Sequence, residues 1–251
     1  MAEVPLAEAT LQIFRGDREG GEAVNYRVPL VPGMVVLDAL HSVQAHHAPD
    51  LAVRWNCKAG KCGSCSAEVN GRPRLTCKTR MDALPLDEPI TILPMKSFPV
   101  IKDLVTDVSW NFKVNKKIPP FQPKPHVEWK MYQRDVDRVQ EFRKCIECFL
   151  CQNVCHVLRE HDKHEEFGGP RFFVRTASLD MHPLDGVSRA NVLKEQLGLG
   201  LCNITKCCTE VCPEDIHITD NAIIPLKERV VDEYYDPLLM LVRKIRSAGK
   251  A

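Results

Sequence analysis

Four cysteines in the first third of the chain have a spacing that can hold a small inorganic cluster. They follow the pattern Cys-x4-Cys-x2-Cys with a fourth cysteine further on, and they are Cys57, Cys62, Cys65 and Cys77. This spacing is typical of a 2Fe-2S cluster, in which three thiolates on one short loop surround the core and a fourth closes it. Gly60 and Gly63 permit sharp turns and let backbone N–H groups approach the cluster sulfurs. We therefore predict a redox centre at this loop.

A second group of cysteines follows the bacterial pattern Cys-x2-Cys-x2-Cys-x3-Cys, whose fourth member ligates the other of two clusters. The first run comprises Cys145, Cys148, Cys151 and Cys155. The second run comprises Cys202, Thr205, Cys208 and Cys212, followed by Pro213. With the ligands crossed as the motif requires, a 4Fe-4S cluster is held by Cys145, Cys148, Cys151 and Cys212. The other cluster is held by Cys155, Cys202 and Cys208.

Thr205 stands where the second run should have a cysteine, so the last site has only three thiolates. A cubane with one unligated corner readily lacks that iron, and we predict a 3Fe-4S cluster with Thr205 facing the open corner. Cys207 is adjacent to Cys208. Adjacent cysteines do not easily direct both sulfurs toward one core, which favours a plain thiol beside the cluster. The alternative is that Cys207 replaces the missing ligand and makes the cluster four-iron.

Other uses of the 12 cysteines fit the sequence less well. The N-terminus has Glu3 and no apolar run behind a basic segment, so we expect no secretory signal and a reducing compartment in which disulfides are rare. Zinc sites usually pair two Cys-x2-4-Cys knuckles, whereas residues 57–65 place three ligands within nine residues. A structural or regulatory zinc protein is the alternative from another class, and iron and acid-labile sulfide assays distinguish it.

Hydrophobic periodicity predicts a small mixed sheet crossed by one helix around the first loop. The predicted strands are residues 10–15, 24–28, 67–69, 74–76 and 90–93. Residues 34–46 repeat apolar side chains at helical spacing. Asn70-Gly71 favours a tight hairpin turn, because both central positions need positive φ.

The second half of the chain has a different character. Prolines between residues 107 and 125 resist helix and sheet and predict an extended linker. Helical patterns follow at residues 134–142, 188–197 and 223–234. The fold class is therefore α+β, with a 2Fe-2S domain at 1–105, a proline-rich linker at 106–130 and a helical domain with the other two clusters at 131–251.

The charge balance of the 251-residue chain argues against nucleic-acid binding, and its apolar stretches argue against a membrane-spanning segment near the C-terminus. Lys and Arg number 34 against 33 Asp and Glu, so no electrostatic footprint for nucleic acid is present. The longest apolar stretch near the C-terminus, residues 238–242, is far shorter than the roughly 20 residues that cross a bilayer. We expect a membrane attachment to come through a partner protein, with residues 226–245 docking on a partner or covering their own domain.

The three cysteine groups in this order resemble the iron-sulfur subunit of succinate dehydrogenase and quinol:fumarate reductase, nearly from end to end. The segments that carry the resemblance are residues 54–65, residues 145–151 and residues 208–213. The resemblance implies an N-terminal β-grasp plant-type ferredoxin domain followed by a C-terminal all-α helical ferredoxin domain. It also implies a place between a flavoprotein and a membrane anchor.

By this resemblance, the chain is an electron-transfer subunit of succinate dehydrogenase in the tricarboxylic acid cycle. Electrons pass from succinate to FAD in the flavoprotein, then through the 2Fe-2S, 4Fe-4S and 3Fe-4S clusters to a quinone at the anchor. The subunit is expected to be peripheral, at the cytoplasmic face of the inner (plasma) membrane or the equivalent mitochondrial matrix face. No catalytic residue is predicted, because the sequence lacks a dinucleotide fingerprint and a nucleophile–base constellation.

The chain departs from the family pattern at the quinone site. Family members have proline and then tryptophan after the last cysteine of the first run, whereas here His156 follows Cys155 and no tryptophan occurs after Trp129. The quinone contacts are therefore not carried over.

Two alternatives to succinate dehydrogenase remain for the complex. One is a quinol:fumarate reductase working in reverse, and the other is the same architecture in another flavin-linked dehydrogenase or disulfide-reducing complex.

Overall fold

The computed structural model describes residues 7–125 and 128–248, with side chains at 8–125 and 128–242. The described residues form two compact units whose segments alternate along the chain. The first unit contains residues 7–110, 146–154 and 211–214, and the second contains 111–125, 128–145, 155–210 and 215–248. The predicted domain boundaries near residues 105 and 130 stay a prediction. Each compact unit is built from several separate stretches of the chain. The predicted absence of a signal at residues 1–6 lies outside the described residues.

The first unit contains a mixed sheet with the strand order β2-β1-β5-β3-β4. Its strands are β1 (Ala7–Asp17), β2 (Gly20–Leu30), β3 (Ser66–Val69), β4 (Arg72–Leu75) and β5 (Ile90–Leu93). Strands β1 and β5 run parallel, and the other neighbouring pairs are antiparallel. All five predicted strands are present, and β3 and β4 turn at Asn70-Gly71, where both residues have positive φ. Helix α1 (Val36–His46) confirms the predicted helix.

Alternation along the strands builds the core of the first unit. Leu11 and Ile13 of β1 are buried together with Val28 of β2 and Ile92 of β5. Helix α1 covers this face with apolar side chains at helical spacing, among them Leu40. None of residues 57–65 belongs to this core, and Lys58, Ala59 and Lys61 of that loop are exposed.

The proline-rich segment is less extended than the sequence predicts. A short hairpin of β6 (Val100–Lys102) and β7 (Val105–Thr106) precedes it, and helix α2 (Ser109–Asn115) lies within it. The helix forms because the prolines begin only at Pro119, and because the Asp107 carboxylate accepts a hydrogen bond of 2.9 Å from the Ser109 N–H. The prediction of a fully extended linker is therefore wrong for residues 109–115.

The described elements of the second unit are helical apart from an isolated bridge between Pro123 and Asp185. The α-helices named from here on are α3 (Gln133–Gln140), α4 (Leu150–Val154), α5 (His156–Arg159), α6 (Pro170–Asp180), α7 (Cys207–Glu210), α8 (Ile224–Tyr234) and α9 (Pro237–Ala248), of which α4 belongs to the first unit. Short 3-10 turns cover Glu141–Lys144 and Leu199–Leu201, and wider π turns cover Val192–Gln196 and Ile218–Ile223. Within the described residues, no helix is long and apolar enough to span a membrane.

Two of the three helices predicted for this half, at 134–142 and 223–234, are present with small shifts in their bounds. The third, at 188–197, is mainly the wide turn Val192–Gln196. Pro237 separates α8 from α9, because a proline cannot continue a helix from the preceding turn.

A buried ion pair organises part of the second unit. The Arg189 guanidinium donates a 2.7 Å hydrogen bond to Asp185, and both side chains are almost fully buried. The same guanidinium donates to the carbonyls of Pro119 and Pro120. Asp185 in turn accepts hydrogen bonds from the N–H groups of Gln122 and Val187. The proline segment is thus held against the loop that precedes the Val192–Gln196 turn.

We predict that Asp185→Asn lowers the local stability around this pair by about 3 kcal/mol, because it leaves the Arg189 charge buried without a counter-ion. Native-state hydrogen exchange at the amides of Gln122 and Val187 measures the change. Asp82→Asn is the matched control, since Asp82 pairs with Arg80 on the exposed surface, and it should leave these amides unchanged. Equal protection in both variants would contradict the prediction.

Candidate metal centres

The first cysteine group lies at one end of the β3–β4 hairpin. Cys65 immediately precedes β3, and Cys77 follows β4 by two residues. Thr76 closes this end, because its N–H and its hydroxyl both donate to the Cys65 carbonyl, at 3.1 and 3.0 Å. The hairpin therefore brings the fourth cysteine to the loop that carries the other three.

The loop between residues 57 and 65 folds around its own sulfur atoms. Lys58, Gly60 and Gly63 have positive φ values of 54°, 67° and 68°. The backbone N–H groups of Ala59 and Lys61 donate to Cys57 Sγ at 3.4 and 3.3 Å. Converging N–H groups form a cradle for negative charge, as a thiolate-bound cluster requires. The residues present therefore fit a 2Fe-2S cluster.

Thiols of this group differ in their readiness to ionise. Burial alone would raise the pKa of Cys62, but hydrogen bonds from Ser64 and Cys57 outweigh burial and lower the pKa to about 6. Burial and the neighbouring Cys65 sulfur raise the pKa of Cys77 to about 11. A metal deprotonates any thiol that it coordinates. The Cys62 thiol therefore ionises readily at neutral pH and can bind a metal as a thiolate. The Cys77 thiol loses its proton only when a metal coordinates its sulfur.

Cys148, Cys151 and Cys212 all belong to the first unit, although the sequence predicts them in the helical domain. Cys145 ends a segment of the second unit. Glu147 and Phe149 have positive φ values of 55° and 60°, which turn the chain on both sides of Cys148. The short helix α4 then carries Cys151.

The Cys148 backbone packs directly on the first cysteine loop. A Cβ atom added to Gly63 would lie 2.6 Å from Cys148 Cα and 2.9 Å from Cys148 Cβ, distances that real structures do not tolerate. The Ser66 hydroxyl shares its one proton between the carbonyl oxygens of Cys148 and Gly63, at 2.9 and 3.0 Å. Cys65 and Cys148 also share an apolar cluster with Leu37, Leu75 and Leu150. The candidate ligands of two different clusters are thus fixed next to each other.

The polar residues that hold α4 follow no motif in the sequence. The Asn153 amide donates to the buried Glu68 carboxylate at 2.8 Å, and Asn153 accepts from the Ser97 N–H and the Ser97 hydroxyl. Glu68 lies in the middle of β3, where the sequence pattern gives no reason to expect a buried carboxylate. Its burial becomes understandable only once Asn153, 85 residues away, is adjacent.

The third set of candidate ligands lies entirely in the second unit. Cys155 immediately precedes α5, Cys202 follows the Leu199–Leu201 turn, and Cys208 is in α7. Burial raises the pKa of Cys155 to about 12 and that of Cys208 to about 11, with further contributions from neighbouring thiolates. The Cys208 sulfur lies 3.5 Å from the Thr219 hydroxyl, a partner that no motif indicated.

The loop before Cys208 repeats the backbone of the loop before Cys151. Ile204 and Lys206 have positive φ values of 62° and 64°, at the positions that match Glu147 and Phe149. Thr205 therefore has the backbone position of Cys148. This repeated conformation supports a cluster site at both runs, since β-branched residues such as Ile204 rarely adopt positive φ.

Among residues 7–125 and 128–248, no group of three or more His, Cys, Asp or Glu side chains has the arrangement that holds one metal ion.

Comparison with known proteins identifies both halves of the chain. Residues 10–113 match the family of 2Fe-2S iron-sulfur cluster binding domains, and residues 141–216 match the 4Fe-4S dicluster domain. A fumarate reductase iron-sulfur subunit of Mycobacterium tuberculosis is 34% identical over 203 residues, which cover 76% of this chain and 79% of that protein. An uncharacterized iron-sulfur protein of Methanococcus maripaludis is 31% identical over 84% of this chain, but this chain spans only 42% of that protein's length.

A solved structure is also similar. A chain of the Mycobacterium smegmatis Sdh1 complex in the apo form is 60% identical, with a TM-score of 0.89, and the match covers 92% of this chain and 98% of that chain. The likeness therefore extends over both compact units.

We predict that Gly63→Ala impairs the clusters on both sides of its contact with Cys148. The added methyl group must displace the Cys148 backbone, which costs about 1–3 kcal/mol through overpacking in addition to the backbone strain. Gly71→Ala is the matched control, since Gly71 has a φ of +71° against +68° for Gly63 but has nothing within 4 Å of the added Cβ. Iron content and electron paramagnetic resonance (EPR) of the reduced protein measure the effect. Equal cluster content in the two variants would contradict the prediction.

Proposed function

The chain belongs to the family of iron-sulfur subunits of succinate dehydrogenase and fumarate reductase, and we propose that it conducts electrons through three clusters inside such a complex. The observation that carries this proposal is the direct packing of the Cys148 backbone on Gly63, with the buried hydrogen bond from Ser66. Two cysteine groups that bind separate redox centres must lie close together if an electron is to pass between them.

The ligand assignment follows from the spacing and from the loop conformations. The 2Fe-2S cluster is held by Cys57, Cys62, Cys65 and Cys77. The 4Fe-4S cluster is held by Cys145, Cys148, Cys151 and Cys212. The 3Fe-4S cluster is held by Cys155, Cys202 and Cys208, with Thr205 at its open corner. The sheet order in the first unit and the helices of the second support a β-grasp domain followed by an all-α ferredoxin domain.

Residues of the chain itself control the environment of these centres. When bound, the clusters supply one-electron carriers whose potentials depend on hydrogen bonds, charge and exposure. Leu37, Leu75 and Leu150 exclude water around Cys65 and Cys148. The N–H groups of Ala59 and Lys61 stabilise negative charge on Cys57. Ser66 is bonded covalently to Cys65 and by a hydrogen bond to Cys148, so it provides a continuous link between two ligands.

The partners are a flavoprotein with FAD and a membrane anchor that binds quinone. Helix α9 supports a partner contact, because its five consecutive apolar residues at 238–242 are all exposed and Leu238 is 73% exposed. Exposed apolar patches of this kind mark interaction sites. In this proposal the complex oxidises succinate, with fumarate reduction as the reverse alternative, and the chain lies at the cytoplasmic or matrix face of the membrane. The predicted docking segment, residues 226–245, extends beyond the described side chains, which end at residue 242.

We predict that the chain, purified anaerobically with its natural partners, contains about nine irons, from two-, four- and three-iron clusters. Addition of succinate should reduce the 2Fe-2S cluster, as EPR detects. Cys62→Ser should remove that signal, with malonate as the control that blocks reduction without removing any cluster. Zinc equal to or above iron would contradict the cluster proposal. A co-purifying flavoprotein that does not respond to succinate would contradict the proposed reaction and leave the cluster assignment intact.

A further inference from the structure

Cys207 lies beside Thr205, the residue that is proposed to face the open corner of the third cluster. Its sulfur is 3.3 Å from the hydroxyl of Thr205, the residue with the backbone position of Cys148. A sulfur atom thus stands one hydrogen bond away from the side chain that replaces the fourth ligand. Rotation about a single side-chain bond can move this sulfur without moving the backbone.

The corresponding residue of the first run has a different environment. Leu150 immediately precedes Cys151, as Cys207 precedes Cys208, and Leu150 is only 1% exposed within an apolar cluster. Cys207 is half-buried and free of any disulfide. It is therefore not fixed in a core in the way that Leu150 is.

Cys207 immediately precedes Cys208, a proposed ligand of the third cluster. Ile204, Thr205 and Lys206 are exposed in this chain. An iron ion can reach the corner from that side.

We propose that Cys207 is the ligand of a fourth iron, which the three-iron cluster takes up when it is reduced and loses when it is oxidised. This inference rests on the proposed function. It takes up the alternative to the expected plain thiol, because the Cys207 thiol need not share the three-iron core with Cys208. It has only to bind the added iron at the corner beside Thr205.

The uptake balances in atoms and charge. One electron, delivered from succinate through the other clusters or from dithionite, converts [3Fe-4S]⁺ to [3Fe-4S]⁰. Addition of Fe²⁺ then gives [4Fe-4S]²⁺, with three new bonds from the iron to core sulfides and a fourth to Cys207 Sγ, whose proton passes to water. Removal of one electron by the quinone acceptor would release Fe²⁺ and restore [3Fe-4S]⁺, and the Cys207 thiolate would regain its proton from water. The chain thereby gains a response to both reducing conditions and available iron.

The test uses the purified complex with ⁵⁷Fe²⁺ as the probe. The oxidised complex is first examined by EPR, in which an oxidised three-iron cluster is paramagnetic. It is then reduced with dithionite in the presence of ⁵⁷Fe²⁺, desalted anaerobically and examined by Mössbauer spectroscopy and iron analysis. The wild type should gain about one ⁵⁷Fe per chain, in a four-iron cluster. After mild reoxidation of this cluster to its 2+ state, most of the three-iron EPR signal should be absent.

Two variants separate ligation from folding. Cys207→Ala should show the three-iron signal when oxidised but should gain less than a tenth of the wild-type ⁵⁷Fe. Adding Thr205→Cys to Cys207→Ala should restore uptake, because a thiolate then occupies the position that matches Cys148. This rescue shows that the cluster site of the Cys207→Ala background is intact.

Three outcomes would overturn the inference. Equal ⁵⁷Fe uptake by the wild type and by Cys207→Ala would show that Cys207 is not a ligand. If only variants with Thr205→Cys took up ⁵⁷Fe, the open corner of the three-iron cluster would accept iron but Cys207 would not reach it. The proposed function would then stand. About ten irons and no three-iron signal in the untreated oxidised wild type would overturn both the convertible site and the three-iron assignment of the proposed function.

Discussion

The Cys148 backbone lies against Gly63, and this close approach is the constraint on which the two candidate cluster loops of the first unit depend. Only glycine leaves the space, and its positive φ also suits the turn between Cys62 and Cys65. The Ser66 hydroxyl fixes the approach by donating to carbonyls on both loops. Two candidate cluster loops, more than 80 residues apart in sequence, are therefore positioned by one short strand end.

Burial of polar groups gives this arrangement its specificity. Glu68 and Asn153 are almost fully buried and are hydrogen-bonded to each other, and Ser97 completes the group. A displaced α4 would leave a carboxylate and an amide without partners inside the protein, which is costly. Helix α4 has only five residues and could not hold Cys151 by its own helical stability. Its position is therefore determined by tertiary hydrogen bonds.

The second unit uses backbone conformation in a comparable way. Ile204 and Lys206 adopt positive φ, although neither is a glycine, and they reproduce the turns at Glu147 and Phe149. Such a conformation persists only where the surrounding structure imposes it. Lys206 forms an ion pair with Asp220, and Thr219 contacts Cys208. Two residues of the Ile218–Ile223 turn therefore help to hold the loop in this conformation. The same loop geometry is thus built twice, with a hydroxyl in place of one thiol.

The sequence by itself determined the local features of this protein. Cysteine spacing predicts which residues can share a cluster, because ligands on one short loop are close in sequence and in space. Strand alternation, the helical spacing at residues 34–46 and the turn at Asn70-Gly71 are also local, and all are present in the structure. The prolines, read as one extended segment, gave a wrong prediction for residues 109–115, where a side-chain cap at Asp107 permits a helix.

Only the tertiary structure decided how distant segments combine. Residues 146–154 belong to the first unit rather than with their chain neighbours, because their partners are Gly63, Ser66, Glu68 and Ser97. Residues 211–214 belong to it because Lys78 donates to the Pro213 carbonyl and Lys61 pairs with Glu214. No periodicity in these segments indicates that choice. The contact of Cys207 with Thr205 is likewise invisible in the spacing, which favours a plain thiol. Long-range pairing depends on which groups can bury and satisfy one another, and that information is distributed over residues far apart in the chain.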